Sequence, residues 1–154
     1  MTAPKETEMS YIYFGNRFHY FGVQPFNKMS ESEKRYNSIF KIGETADIKQ
    51  RINTLRYKED TCIQQFVRWE GTKSERLFIE GYLRMAFESN RNMTHFGNDH
   101  FSCMNSNTLK GAQNKFFAIV EEAFHVMEMT WGRTYNYTFL VRDGLGYTCF
   151  SEIN

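Results

Sequence analysis

Short aromatic and β-branched runs alternate along the chain with longer segments whose apolar residues recur every three or four positions. The short runs predict strands, at 11–14, 17–26, 39–42 and 62–69. In the longer segments the recurring apolar residues form one face of a helix, which predicts helices at 47–57, 74–89 and 109–130. Two further runs flank Asp143-Gly144-Leu145-Gly146 and predict a hairpin over 135–150.

Polar segments separate these elements and set the expected organisation of the chain. Residues 1–9 are interpreted as a flexible tail, 27–37 as a loop or short helix, and 91–107 as a loop with an extended piece near Phe101. The pattern predicts an α+β protein, in which residues 10–107 form a small sheet flanked by helices and residues 108–154 add a helix and a hairpin. The apolar face of that last helix must cover either the core sheet or a second subunit, so a homodimer is one expectation.

Composition excludes several classes of protein. The 154 residues carry 19 basic and 18 acidic side chains, a net charge of +1, so binding to nucleic acid would need a local patch. No apolar run approaches the roughly 20 residues that span a bilayer, and the first residues lack the apolar core of a signal peptide. The three cysteines are odd in number and far apart, as in free thiols of a reducing cytoplasm. We therefore expect a cytoplasmic protein without membrane contact.

One helix provides a local patch of positive charge. Between Asp47 and Lys58 there are four cations and one carboxylate, which is a local excess of three positive charges. Lys49, Arg56 and Lys58 are therefore candidates for contact with phosphates. The alternative interpretation is an ordinary solvated helix face.

Three segments carry candidate chemistry and together resemble a known family. Tyr11-Ile12-Tyr13 forms a strand, Lys41-Ile42-Gly43-Glu44-Thr45 forms a strand and a turn at Gly43, and the next helix contains Arg51. Glu80 begins the segment Glu80-Gly81-Tyr82-Leu83-Arg84 within an otherwise apolar helix. The arrangement resembles the GIY-YIG nuclease superfamily, in the phage and bacterial branch whose second motif reads Lys-Ile-Gly, with Arg84 at the position of a family histidine.

The resemblance implies a metal-dependent endonuclease that hydrolyses phosphodiester bonds of DNA. Tyr13 would position or deprotonate the attacking water, and Lys41 would act as a base or as a charge partner of the phosphate. Arg51 would neutralise the charge that builds up on the scissile phosphate. Glu80 would hold one Mg²⁺ or Mn²⁺ ion. The resemblance implies no organic cofactor.

Each of these residues also has a structural interpretation. Tyr13 could be a core residue, Lys41 a solvated side chain, and Arg51 the partner of Asp47 one turn earlier. Glu80 lies in a four-residue repeat of alternating charge, which predicts a solvated ladder of ion pairs, formed by Arg76, Glu80, Arg84 and Glu88. For the whole protein, two alternatives stay open. One is a catalytically weakened relative that binds nucleic acid or blocks a host enzyme, and the other is a dimeric interaction protein without nucleic acid.

Overall fold

The computed structural model describes residues 7–17, 39–97, 99–144 and 146–149. Within these ranges the elements are, in chain order, β1 Glu8–Arg17, β2 Ile39–Thr45, α1 Ile48–Glu59, β3 Thr61–Gly71, α2 Lys73–Glu88, β4 Met93–Phe96, β5 His100–Cys103, α3 Ser106–Trp131, β6 Tyr137–Asp143 and β7 Gly146–Cys149. Beyond Arg17, the predicted second strand lies outside the described residues, as does the predicted loop or helix over 27–37.

The predicted elements are present wherever the structure describes the chain. Besides the extension of β1 to Arg17 and of β2 to Thr45, there are three differences. β1 begins at Glu8, so it includes the last two residues assigned to the tail. α3 begins at Ser106 rather than Leu109 because the Asn105 side chain accepts a hydrogen bond from the amide of Thr108 and caps the helix. The third difference is the β4–β5 hairpin, which occupies a segment predicted to be mostly loop.

All seven described strands belong to one antiparallel sheet, in the order β4-β5-β2-β1-β3-β6-β7. The C-terminal hairpin pairs with β3 in a register that sets Phe66 opposite Leu140. Residues 137–149 therefore extend the same sheet that the N-terminal strands begin. The prediction of an α+β fold is confirmed.

The two faces of this sheet are covered differently. Alternate residues of a strand point to opposite faces, so Ile12 and Phe14 enter a large apolar cluster with α2 and α3, while Tyr13 enters a smaller cluster with α1. We call these the large-core face and the α1 face. On the large-core face, Phe116 of α3 packs against Phe14 with ring centroids 5.7 Å apart.

α3 therefore covers the core sheet, one of the two roles expected for it. Its buried stripe joins the large cluster, through Ala112, Phe116, Val120, Ala123, Phe124 and Met127. Although α3 has 26 residues, none of the helices in the described ranges has the length and hydropathy to cross a membrane. A homodimer through α3 stays a prediction.

Candidate active site

Tyr13 and Gly43 lie side by side at the centre of the candidate site. The two residues are directly paired across β1 and β2. A Cβ atom at Gly43 would lie 2.1 Å from the Tyr13 hydroxyl oxygen, so only glycine lets the ring cross β2 there. The sequence assigned Gly43 to a sharp turn, and this is wrong: the residue lies inside β2 and is not among the described glycines with positive φ. Its role is to leave space for the Tyr13 ring.

The Tyr13 hydroxyl is buried among charged groups. The side chain is fully buried, and its oxygen has no hydrogen bond of normal geometry. Burial raises the pKa of Tyr13 far above its usual range, Arg51 opposes that rise, and Asp99 and Glu80 add to it. The phenol therefore keeps its proton at neutral pH. Of the two roles predicted for Tyr13, this favours positioning the attacking water molecule over deprotonating that water.

Lys41 lies on the same face, paired with a carboxylate. Its side chain is buried, which contradicts the solvated interpretation. The ammonium group lies 3.4 Å from Oε1 of Glu59, the last residue of α1. His100 of β5 lies directly opposite Lys41 in the sheet, and its Nε2 atom is 3.7 Å from the same Glu59 oxygen. One carboxylate therefore faces two candidate site residues.

Glu80 approaches the site from α2, beside the end of β2. Its side chain is only 15% exposed, and Oε1 accepts a hydrogen bond of 2.9 Å from Arg84. Burial is the main cause that raises the pKa of Glu80, and the carboxylates of Asp99 and Glu44 raise it further. Arg84 and the backbone amide of Glu44, which donates a hydrogen bond to Glu80, lower it. Glu80 is thus held in a region of excess negative charge.

The predicted ladder of ion pairs along α2 is wrong except for its Glu80–Arg84 pair. Arg76 is buried and turns to the sheet, where it donates hydrogen bonds to Glu44 at 2.8 Å and to Glu8 and Ser10 at 2.9 Å. Glu88 pairs with His95 at 2.9 Å. The ladder fails because the neighbouring strands supply partners for Arg76 that the helix pattern alone does not show.

The three predicted DNA-contacting cations of α1 are exposed but do not form one patch. Lys58 follows Arg51 by seven positions, close to two helical turns of about 3.6 residues, so these two lie on the same side of α1. Lys49 and Arg56 are also seven positions apart and lie on the opposite side. Asp47, the alternative partner of Arg51, caps α1 by accepting a hydrogen bond from the Gln50 amide.

Four different elements carry the residues predicted for catalysis and metal binding, which are Tyr13, Lys41, Arg51 and Glu80. Arg51 and Glu80 act electrostatically on the Tyr13 hydroxyl, and Lys41 lies two residues before Gly43 on the same face of β2. The predicted site residues did not include Glu59, Asp99 and His100, which are further charged or titratable neighbours. Asp99 and His100 belong to the segment 98–101, which the sequence suggested only as part of the resemblance or as a weak metal site.

The sequence did not assign these three to the site because tertiary pairing places them there. The backbone carbonyl of Asp99 accepts a hydrogen bond of 3.1 Å from the Ile42 amide, which draws the β4–β5 hairpin to the site. The only signal in the sequence was that neighbouring residues of a strand point to opposite faces of the sheet. If 100–103 is a strand, His100 and Phe101 therefore point in opposite directions.

No described group of three or more His, Cys, Asp or Glu side chains is arranged to hold a metal ion. The chain matches no protein-family model, no curated protein and no solved structure. The geometry of the site is therefore what indicates a function for this protein.

Proposed function

We propose that this protein is a GIY-YIG-type endonuclease that hydrolyses phosphodiester bonds of DNA with the help of a divalent metal ion. The observation that carries the proposal is that Arg51 and Glu80, from two different helices, both act electrostatically on the buried hydroxyl of Tyr13. A cation, a carboxylate and a neutral phenol serve the three needs of this hydrolysis. They stabilise the charge on the phosphate, hold a metal ion and orient a water molecule.

The cations have separate roles in this proposal. Arg51 neutralises the charge that develops on the phosphate oxygens, because a guanidinium can donate two parallel hydrogen bonds to them. Lys41 is a charge partner of the phosphate. Its ammonium group lies 3.4 Å from a carboxylate oxygen, so it is already placed to pair with an anionic oxygen. Lys58, on the same side of α1 as Arg51, extends this positive surface towards the DNA backbone.

The chemistry of the donors around Glu80 fits Mg²⁺ or Mn²⁺. Mg²⁺ commonly binds through one or two carboxylates, substrate phosphates and several water molecules, so it does not need a cluster of three protein ligands. Burial is the main cause of the raised pKa of Glu80, and a cation would relieve the repulsion that Asp99 and Glu44 add to it. When bound, the metal ion supplies a Lewis acid for the phosphate oxygens.

Incubation with supercoiled plasmid, with and without Mg²⁺ or Mn²⁺, tests the proposal. We expect nicking that needs the metal ion and that Glu80→Gln abolishes, since the substitution removes the charge and keeps the shape. The free energy of unfolding should stay within about 1 kcal/mol of wild type, because Glu80 forms one part-exposed ion pair.

Glu88→Gln is the matched control, because Glu88 lies on the same helix and also pairs with a neighbouring side chain, His95. Its nicking activity should equal that of wild type. Normal nicking by Glu80→Gln would remove the metal role of Glu80. Absence of nicking by wild type with either metal would contradict the nuclease function itself.

A second candidate function is a protein that grips DNA without cleaving it. Two observations favour it: the Tyr13 side chain is fully buried, and Lys41 is 8% exposed and already paired with Glu59. Salt-sensitive retention of DNA without any nicking would select this alternative, since phosphate contacts release counterions. A dimer that neither cleaves nor retains DNA would instead select the third alternative, a dimeric interaction protein without nucleic acid.

A further inference from the structure

His100 lies on the α1 face, next to the residues proposed for catalysis. It is directly opposite Lys41 across β2 and β5, while Gly43, two residues further along β2, is opposite Tyr13. Directly opposed residues share a face of the sheet, as do residues two positions apart. The imidazole therefore belongs to the same surface as the Tyr13 ring and the Lys41 side chain.

The position of the His100 ring is fixed on two sides. The ring stacks on Phe96 of the same hairpin, with centroids 5.3 Å apart. Its Nε2 atom is buried, lies 3.7 Å from Glu59 Oε1 and has no hydrogen bond of normal geometry. A buried nitrogen without a hydrogen bond costs stability, so it needs an explanation such as a bound water molecule, an ion or a catalytic role.

Groups from several elements act on the charge state of this imidazole. Burial is the largest cause that lowers the pKa of His100, followed by Lys41 from β2 and Arg17 from β1. Two carboxylates oppose the decrease, Glu59 at the end of α1 and Asp99 beside His100 in the chain. The lowering causes prevail, so the imidazole is neutral at pH 7 and can accept a proton.

Hydrolysis of a phosphodiester needs such an acceptor, and the two residues that the sequence offered are poorly suited to it. The Tyr13 phenol keeps its proton at neutral pH, as its raised pKa indicates. Lys41 directs its ammonium group at the Glu59 carboxylate. Among the described residues near Lys41, Glu59 is already paired with the ammonium group, whereas His100 has a buried ring nitrogen without a hydrogen bond.

We propose that His100 is the general base of the reaction, with Nε2 taking the proton of the attacking water. This inference depends on the proposed nuclease function. The water O–H bond breaks as its oxygen bonds to phosphorus, and the proton moves to Nε2. The ester P–O bond breaks, and its electron pair leaves with the sugar oxygen, which takes a proton from solvent. The imidazolium then releases its proton to solvent, so charge and atoms balance.

The pH dependence of plasmid cleavage gives the first test. A base must be deprotonated to act, so wild-type kcat/KM should fall as the pH decreases below the ordinary histidine pKa of about 6.5. His100→Ala and His100→Gln should reduce kcat on the order of 100-fold or more and remove that acidic limb. Retention of DNA in Ca²⁺ should change less than threefold, because His100 acts on the water.

Two further experiments separate a chemical role of His100 from a structural one. Imidazole added at millimolar concentration should restore part of the activity of His100→Ala, where it can occupy the space of the lost ring. His95→Ala is the control, since His95 lies in the same hairpin but stacks on Phe101 on the large-core face. Its activity and pH profile should match those of wild type.

Several results would overturn the inference. The inference is overturned if the wild type is active but its kcat/KM shows no decrease on the acidic side, near or below pH 6.5. This result counts even if both His100 variants fail to fold. Full activity of His100→Gln, or an acidic limb that persists in it, removes the role of His100 and leaves the nuclease function intact. A wild type that cleaves under no condition removes both proposals.

Discussion

The two faces of the sheet treat their buried polar groups in opposite ways. On the large-core face, Glu75 accepts hydrogen bonds from the Thr72 amide, from Arg133 and from the Tyr135 hydroxyl. Arg76 has three oxygen partners, and Trp69 Nε1 is an exception that has no hydrogen bond. This face therefore combines tight aromatic packing with polar groups that mostly have partners, as stability requires.

The α1 face keeps polar groups that stability does not explain. The Tyr13 hydroxyl and the His100 Nε2 atom are buried without a hydrogen bond of normal geometry, and Lys41 is buried beside the Glu59 carboxylate. Each unsatisfied buried group costs about 1–3 kcal/mol. Apolar side chains of similar size would avoid that cost, so the contrast between the faces supports a functional site on the α1 face.

The largest expected effect comes from Arg51, the cation that acts on the Tyr13 hydroxyl. Arg51→Ala should slow DNA cleavage on the order of 100-fold or more, which is about 2.7 kcal/mol of lost transition-state stabilisation. Binding should weaken much less, because Arg51 acts mainly on charge that develops during the reaction. Lys41→Ala should cause a similar loss of rate. Single-turnover rates and DNA retention in Ca²⁺ measure the two quantities.

Arg133→Ala is the counterpart on the other face. Arg133 holds Glu75 at 2.7 Å, so its loss should reduce the free energy of unfolding and leave the cleavage rate of the folded protein unchanged. Equal losses of binding and rate in Arg51→Ala would instead indicate that Arg51 only grips phosphate. The contrast between the faces would then be one of binding alone.

The sequence predicted the helices and most strands because their signals are local. The four-and-three spacing of Ile48, Ile52 and Leu55 is enough to predict α1, and Gly132 ends α3 with the positive φ that glycine favours. The β4–β5 hairpin has no such signal. Its four-residue strands are formed by pairing with β2, which is a tertiary effect.

The candidate site shows the same division between local and tertiary information. Tyr13, Lys41 and Arg51 could be named from the sequence because each belongs to a recognisable segment. Glu59 could not, since it looks like the last residue of a charged helix until the fold places it 3.4 Å from Lys41. Spacing likewise misassigned Arg76 to a solvated ladder, because its partners lie more than 30 residues away in the chain.

Two tyrosines offer an intermediate effect that tests the contrast directly. Tyr135→Phe should destabilise the fold by about 1–2 kcal/mol, because Glu75 loses one of its hydrogen-bond donors. Tyr13→Phe should leave the free energy of unfolding unchanged or raise it by up to about 1 kcal/mol, since it removes an unsatisfied hydroxyl. Urea denaturation measures both changes. If Tyr13→Phe is the more destabilising of the two, the Tyr13 hydroxyl has a structural partner and the contrast fails.

The smallest expected effect separates the two sides of α1. Lys58 lies on the side of Arg51, whereas Lys49 lies on the opposite side, and both are exposed. Lys58→Ala should weaken DNA binding a few-fold and reduce the slope of log K against log salt by about one, the amount expected for one lost phosphate contact. Lys49→Ala should leave both quantities near their wild-type values. Because the two substitutions remove the same charge from the same helix, any difference between them reports the direction from which DNA approaches. Equal effects would mean that the whole outer surface of α1 meets the backbone, and the α1 face would then not define the DNA path.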